Sequence, residues 1–524
     1  MKNKMKVEFL GQAGIFIESS SNCKLVCDPW FSQTGGFLAT WHQFPPNDHL
    51  DIEKYKNTDF LYISHSHQDH FDKEFLKQFP KDVNILIANF TSKKFFNEIK
   101  QLGFSNITEI KDWETICLAD NFEITLITDN CKYKEDSSII INVDGFRILN
   151  KNDCYLTQNY LEKICKEKID ILFTQFSGAM WYPAAYNYQK EKKLELSKKT
   201  REFLIDTFIK LSNTVNAKYV VPSAGPPCFL EDEFFELNFM ENGIFPDQND
   251  ILPLVKNKIK SKINCMNPGD YVILDRDNID FHNTHNFDYS KKEQLLNTYQ
   301  KKRAAIIKNY LESIPEPSKN LYDMFIKHLS NIFEKNDYLV SQVGQLVEFN
   351  ITGSYGGQWQ VDFRQKPPKF FSTPIDKPQY KLHIDSRFLN LILHGQLLWE
   401  DLFLSLRFKA EREPDLYNWS LFSLLRYGHD ENLLNLVELN ELRTKAPTTI
   451  NVKNDNKLFK IQRFCPHLGE DLSAASIKNG VLTCPRHNWK FDLSDNGMCV
   501  FGGNKNLKMY ETSDEEEEED SGSV

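Results

Sequence analysis

With 524 residues and 41% hydrophobic content, the chain is long enough for two or three domains, each with its own core. A formal net charge of -10, from 73 acidic against 63 basic side chains, argues against a nucleic-acid binder. Eleven scattered cysteines lack the dense spacing of a secreted disulfide scaffold, the first twenty residues are too polar for a signal peptide, and no apolar run could span a bilayer. These features lead us to expect a soluble cytoplasmic protein that contacts neither nucleic acid nor membrane.

In chain order, residues 1–285 alternate short β-like runs with helical ones. "VEFLGQAGIFIES", "KLVCDPW", "DFLYISH", "VNILIAN", "FEITLITD", "SIIINVDGFRILN", "DILFTQF" and "KYVVPSAG" predict strands, and "KEFLKQF", "KKFFNEIKQLG" and "KTREFLIDTFIKLSN" predict helices. Residues 286–430 read as a helical or α+β middle region. It begins with the lysine-rich "KKEQLLNTYQKKRAAIIKNYLESI" and ends in a helix pair that starts at Ser386 and breaks at Gly395. Residues 431–510 turn to short strands and turns, and 511–524 form an acidic tail whose like charges cannot bury themselves, so disorder is expected there.

The apolar strand "DFLYIS" runs directly into His65, His67, Asp69 and His70. A strand followed by H-x-H-x-D-H resembles the ligand loop of the metallo-β-lactamase fold, in which a strand end presents imidazoles and a carboxylate to one or two metals. A dinuclear hydrolase of that fold adds a third histidine, a bridging aspartate and a final histidine at later strand ends. After His70 the next histidine is His282, so the third has no candidate, whereas Asp153, after "FRILNKN", suits the bridging position. His65, His67 and Asp153 then surround one metal, and two histidines with one carboxylate form the facial triad of non-haem Fe(II) oxygenases. Asp69 and His70 would make a weak second position, or would orient ligands and shuttle protons.

Near the C-terminus stand two mixed pairs, Cys465-x-His467 and Cys484-x-x-His487, with sixteen residues between them. A Cys2His2 zinc site usually keeps its cysteines in one pair and its histidines in the other. Mixed pairs suit a Rieske [2Fe-2S] centre, where each loop gives one thiolate to one iron and one imidazole to the other. "CPHLGEDL" and "CPRHNWKFDLSDNG" resemble Rieske loops, with Pro466, Gly469, Pro485 and Trp489 at turn and packing positions. Neither loop has the extra cysteine that forms a disulfide in the respiratory-complex branch, so the resemblance is to the oxygenase and ferredoxin branch.

Taken together with "LVCDPWF", "FLATWHQFPPND", "ILNKNDC", "QFSGAMWYP", "YVVPSAG" and "LLWEDLFLSLRFKAEREPDLY", these motifs resemble the CMP-N-acetylneuraminate monooxygenase family and its bacterial relatives. One departure is that the sialic-acid enzymes carry the Rieske domain at the N-terminus. The resemblance implies a multidomain α+β protein: a metallo-β-lactamase-like αββα sandwich, the middle region packed on it, and a small all-β Rieske domain. It also implies a monooxygenase with a mononuclear non-haem Fe(II), O2 as oxidant, and electrons from a ferredoxin, a cytochrome b5-like protein or a flavin reductase. The substrate it implies is small and polar, such as an N-acyl amino sugar or its nucleotide conjugate, and a homo-oligomer is compatible with it. A metal-dependent hydrolase with a regulatory redox domain is the alternative, and a non-catalytic electron carrier a third reading.

Other residues have a functional and a plainer reading. Asp28 either orients a metal ligand or caps a turn. Trp30, Trp41, Phe44, Trp181 and Tyr182 could wall a substrate, though core packing is the simpler role for most. Arg387, Arg407 and Arg412 could hold an anion or form ordinary salt bridges, and Cys131 and Cys154 read as packing residues.

Overall fold

The computed structural model describes residues 4–510 apart from 277, 286, 455–456, 468, 487–488 and 503–504. It divides into two compact units, Met1–Pro317 with Asp385–Lys409, and Ser318–Ile384 with Ala410–Val524. Among the described residues, no helix is long and apolar enough to cross a membrane.

The first unit is built on two sheets. One orders its strands Asn278–His282, Tyr271–Asp275, Met5–Gly11, Gly14–Glu18, Lys24–Cys27, Phe60–Tyr62, Asn84–Ala88 and Ile107–Ile110; the other runs Lys262–Ile263, Tyr219–Ser223, Ile171–Gln175, Phe146–Asn150, Ser137–Val143, Phe122–Thr128 and Thr115–Ala119. Each sheet is antiparallel in one half and parallel in the other.

Side-chain alternation along the strands accounts for the layering. Ile139 and Ile141 join Val7, Ile15, Leu25 and Phe173 in the core between the sheets. Ile140, from the same strand, points the other way, into a core with Leu149, Leu172 and Val220 that Phe208 and Leu211 of the helix Lys190–Val215 help to cover. A sheet buried on both faces explains why "SIIIN" is an apolar run rather than an alternating one. This is the expected αββα sandwich. The short edge strands Thr115–Ala119 and Lys262–Ile263 and the pair Tyr271–Asp275 and Asn278–His282 were not predicted.

The stretch 286–430, which reads from sequence as one region, is shared between the units. The helix Lys292–Ser313 belongs to the first because Leu296, Tyr299 and Ile307, spaced along one face, bury against Phe44, Cys228 and Leu230. On the same face Arg303 pairs with Asp48. Among the described residues, the second unit holds a five-stranded sheet, in the order Lys369–Phe371, Gly357–Asp362, Leu346–Thr352, Tyr380–Asp385 and Phe408–Arg412, and four helices. It ends in a small β region of one three-stranded and one four-stranded sheet, whose core contains Ile461, Leu472, Leu482, Trp489 and Phe491. The acidic tail lies outside the described residues.

His42 sits inside the first unit, its Nε2 3.1 Å from the Ala39 carbonyl and its ring against Tyr299. Burial lowers its pKa to about 3, with Arg303 and Arg407 adding to the effect and the Ala39 carbonyl opposing it. An unfolded histidine binds its proton near pH 6.5, so this site's contribution is complete above that pH. It is lost as pH falls toward 3, at about 1.4 kcal/mol per pH unit. Urea unfolding between pH 7 and 4 should show His42→Gln losing stability with acid less steeply than wild type; parallel slopes would remove His42 from the account.

Candidate metal centre and iron–sulfur domain

The histidine loop follows Phe60–Tyr62 and Asp153 follows Phe146–Asn150, so both lie beyond the carboxyl ends of parallel-half strands in the two facing sheets. His70 and Phe71 donate their backbone N–H groups to the His67 carbonyl at 3.0 and 2.7 Å, coiling the loop into a turn. That turn gathers His65, His67, Asp69 and His70 on one side.

His65, His70 and Asp153 form the tightest group, each offering a ligand atom within 4.8 Å of the others. Asp153 turns Oδ2 toward His65 Nε2 at 3.8 Å and Oδ1 toward His70 Nε2 at 3.6 Å. Asp69 Oδ2 is 3.6 Å from the same His70 nitrogen. The rings of His65 and His67 are 4.5 Å apart, and His67 Nε2 faces Glu400 Oε1 at 3.8 Å. All five residues read from the sequence therefore converge, but His70 lies inside the tight trio, and His67 stands beside it next to a carboxylate that motif reading missed.

Buried partners set these orientations. Asp28 Oδ2 lies 2.9 Å from His70 Nδ1, which directs Nε2 toward Asp69 and Asp153. Asp28 also accepts from the Ser64 backbone N–H at 2.8 Å and the Ser64 hydroxyl at 2.7 Å, tying "CDPW" to the histidine loop. Asp72 returns the tie: it accepts from Phe31 and Ser32 N–H at 2.8 and 2.7 Å and from Phe75 N–H at 3.0 Å. From the second sheet, Ser137 donates its hydroxyl to the Ser64 carbonyl at 2.7 Å. Gln12 donates to Asp69 Oδ2 at 2.9 Å.

The charges of the cluster suit a cation. Burial holds His65 well below the usual imidazole pKa, helped by His70, so His65 is neutral. Burial also opposes charge on His70, but Asp153, Asp69 and Asp28 together outweigh it and hold its pKa well above normal. A protonated imidazole among three carboxylates thus carries the positive charge that a metal would supply. Moreover, His65 Nε2 and Asp153 Oδ1 are buried without a hydrogen-bond partner, a cost that a shared metal ion would remove. Imidazoles that release their protons to a metal, with an ionised carboxylate, are a suitable donor set.

The remaining sequence candidates separate clearly. His282 pairs with Asp280 on an edge strand and His285 packs on His49, so neither reaches the cluster. Trp30, Trp41 and Phe44 are buried packing residues, while Trp181 and Tyr182 are only half-buried, Trp181 against Phe403. Arg387 pairs with Asp385, Arg407 with Glu231 and Arg412 with Asp415, which favours the structural reading of all three. Cys154 packs in the core, and Cys131 is half-buried.

In the second unit, the two ligand loops close in the same way. Cys465 donates its N–H to the Glu470 carbonyl and Cys484 to the Trp489 carbonyl, each at 2.8 Å. Both cysteines are buried in the small core and belong to no disulfide. The His467 ring stacks on Trp489 with centroids 4.3 Å apart and planes 4° from parallel, and meets the edge of Trp419. Buried Arg486 and Glu470 pair between the loops at 3.7 Å. At Gly502, φ is +118° and a Cβ would stand 2.4 Å from the Trp489 ring, so only glycine lets that ring lie there. His487 lies outside the described residues. Two buried thiols on matched loops, with one imidazole fixed by stacking, fit a [2Fe-2S] cluster.

Comparison with known proteins agrees with both halves. Residues 6–223 match the family model of the Beta-lactamase superfamily domain, and residues 435–511 that of the Rieske [2Fe-2S] domain. The chain is a metallo-β-lactamase-fold domain followed by a C-terminal Rieske domain, which carries a [2Fe-2S] cluster. Among curated proteins, a Rieske 2Fe-2S iron-sulfur protein of Mycolicibacterium smegmatis is 28% identical over 524 residues, 95% of this chain and 98% of its own. A namesake from Mycobacterium tuberculosis is 28% identical over 530 residues, with the same coverage. Such end-to-end alignment means that both share the order of the domains. The cytidine monophosphate-N-acetylneuraminic acid hydroxylase of Pan troglodytes is 23% identical over 428 residues, 76% of this chain and 69% of its own. The chain is thus homologous to that hydroxylase at low identity.

Because Asp28 fixes His70, Asp28→Asn should weaken metal binding at the histidine cluster by about 10- to 100-fold. Equilibrium dialysis with metal analysis would show this, with the visible absorption of the cluster unchanged. Wild-type affinity in Asp28→Asn would mean that Asp28 only caps its loop.

Proposed function

We propose that this protein is a Rieske-dependent non-haem iron monooxygenase that hydroxylates a small polar substrate. The substrate class suggested by its hydroxylase relatives is an N-acyl amino sugar or its nucleotide conjugate. The observation that supports this reading best is the buried His65 Nε2 and Asp153 Oδ1, both without hydrogen-bond partners, in a chain that also carries a one-electron Rieske centre. Two histidines and a carboxylate with open positions suit iron and O2.

In this reading His65, His67 and Asp153 hold the iron, with His70 and Asp69 adjoining. Iron bound there would supply O2 activation for inserting one oxygen atom into a C–H bond, and the [2Fe-2S] centre would be its source of electrons. The surrounding residues keep the donors ready. Asp153 stays ionised despite its burial, because His65, His70 and His67 outweigh the desolvation. Asp136, 3.3 Å from His65 Nδ1, is pushed well above the carboxylate range by burial and by Asp153. Half-buried Trp181 and Tyr182 lie on the loop after Ile171–Gln175, Trp181 against Phe403 and Tyr182 against Tyr186 and Tyr188, and are the candidate walls of a substrate site. Electrons come from an external ferredoxin, cytochrome b5-like protein or flavin reductase.

The reduced, iron-loaded full chain would be mixed with O2 and either CMP-N-acetylneuraminate or free N-acyl amino sugars, and the product analysed after one turnover. His65→Ala and His487→Ala should each abolish hydroxylation. Undiminished product from either variant would overturn the assigned roles, and zinc with no iron beyond the cluster would turn the assignment to a hydrolase.

A further inference from the structure

Glu400 comes from the helix Trp399–Leu404, more than three hundred residues after the histidine loop, in the 385–409 segment that belongs to the first unit. Its Oε1 is 3.8 Å from His67 Nε2, similar to the His65–Asp153 separation of 3.8 Å. Both separations are longer than a direct hydrogen bond. The helix is pinned where it lies: Trp41 Nε1 donates to the Leu404 carbonyl at 2.9 Å, Arg407 Nε donates to the Leu38 carbonyl at 2.9 Å, and Phe403 packs on Trp181. The Asp401 carboxylate accepts from Leu398 N–H at 3.1 Å and closes the first turn of the helix, leaving Glu400 as its acidic residue toward the histidines.

We infer that Glu400 is a metal ligand, the anionic donor that completes the position held by His65, His67 and Asp153. It takes the place of the third histidine that the chain lacks between His70 and His282. The Asp153 carboxylate, with one oxygen toward His65 and the other toward His70, separates this position from the His70 and Asp69 side. Two imidazoles with two carboxylates make a harder donor set than three imidazoles with one, and carry one more negative charge toward a divalent cation. The inference rests on the metal site of the proposed function, but concerns how the metal is held rather than what it does.

The test uses Co(II) as the probe, added to the full chain with its [2Fe-2S] cluster intact and the other metal removed by chelation. Affinity would be measured by equilibrium dialysis and coordination by Co(II) ligand-field absorption. Loss of a partner that merely orients a ligand costs about 10- to 100-fold in affinity, so loss of a direct donor in Glu400→Gln should cost more than about 100-fold and change the Co(II) spectrum. Glu400→Asp, which keeps the charge on a shorter arm, should retain part of both. Thermal melting and the absorption of the cluster check the fold, and if Glu400→Gln does not fold, the Co(II) spectrum of Glu400→Asp decides. An unchanged affinity and spectrum in the folded variant would overturn the inference. A protein that purifies with zinc but still needs Glu400 to hold it would support the inference while overturning the oxygenase reading.

Discussion

The metal centre depends on one fully buried carboxylate. Asp28 accepts from Ser64 twice and holds His70 by Nδ1, and none of its surface is exposed. A buried acceptor of this kind is stabilising only when its hydrogen bonds are all made, so loop, hydroxyl and imidazole must take up their positions together. Asp72 reverses the direction of support, from the histidine loop back to Phe31 and Ser32. The two loops therefore brace each other, and the ligand nitrogens emerge already aimed.

The same logic of preorganisation governs the Rieske domain by different means. Its loops are closed by matching backbone hydrogen bonds at Cys465 and Cys484, and its imidazole is fixed by aromatic stacking on Trp489. Gly502 makes that stacking possible by leaving the space where a side chain would collide with the indole. One site is thus oriented by buried charge and the other by a small apolar core.

Much of this was legible in the chain itself. H-x-H-x-D-H after a strand and the mixed Cys/His pairs are local patterns, because one turn or one loop carries all the donors. Asp153 could be found because it follows a recognisable apolar strand. The place of His70 could not, since its membership of the tight trio comes from Asp28, on another loop, turning its ring. Glu400 was still less visible. "LLWEDL" is an ordinary amphipathic helix start, and nothing in its composition says that its glutamate meets a histidine from the opposite end of the domain.

The sequence by itself determined the two chemistries, because thiolate, imidazole and carboxylate donors are chosen residue by residue and their spacing limits the metals they suit. It also made the αββα sandwich an expectation, because H-x-H-x-D-H after a strand resembles the ligand loop of that fold. Only the tertiary structure decided which donors share a position, and that a helix from 385–409 joins the first unit beside His67. The physical reason is that metal coordination is a contact among side chains a few ångströms apart, and distance along a chain of this length carries almost no information about distance in space.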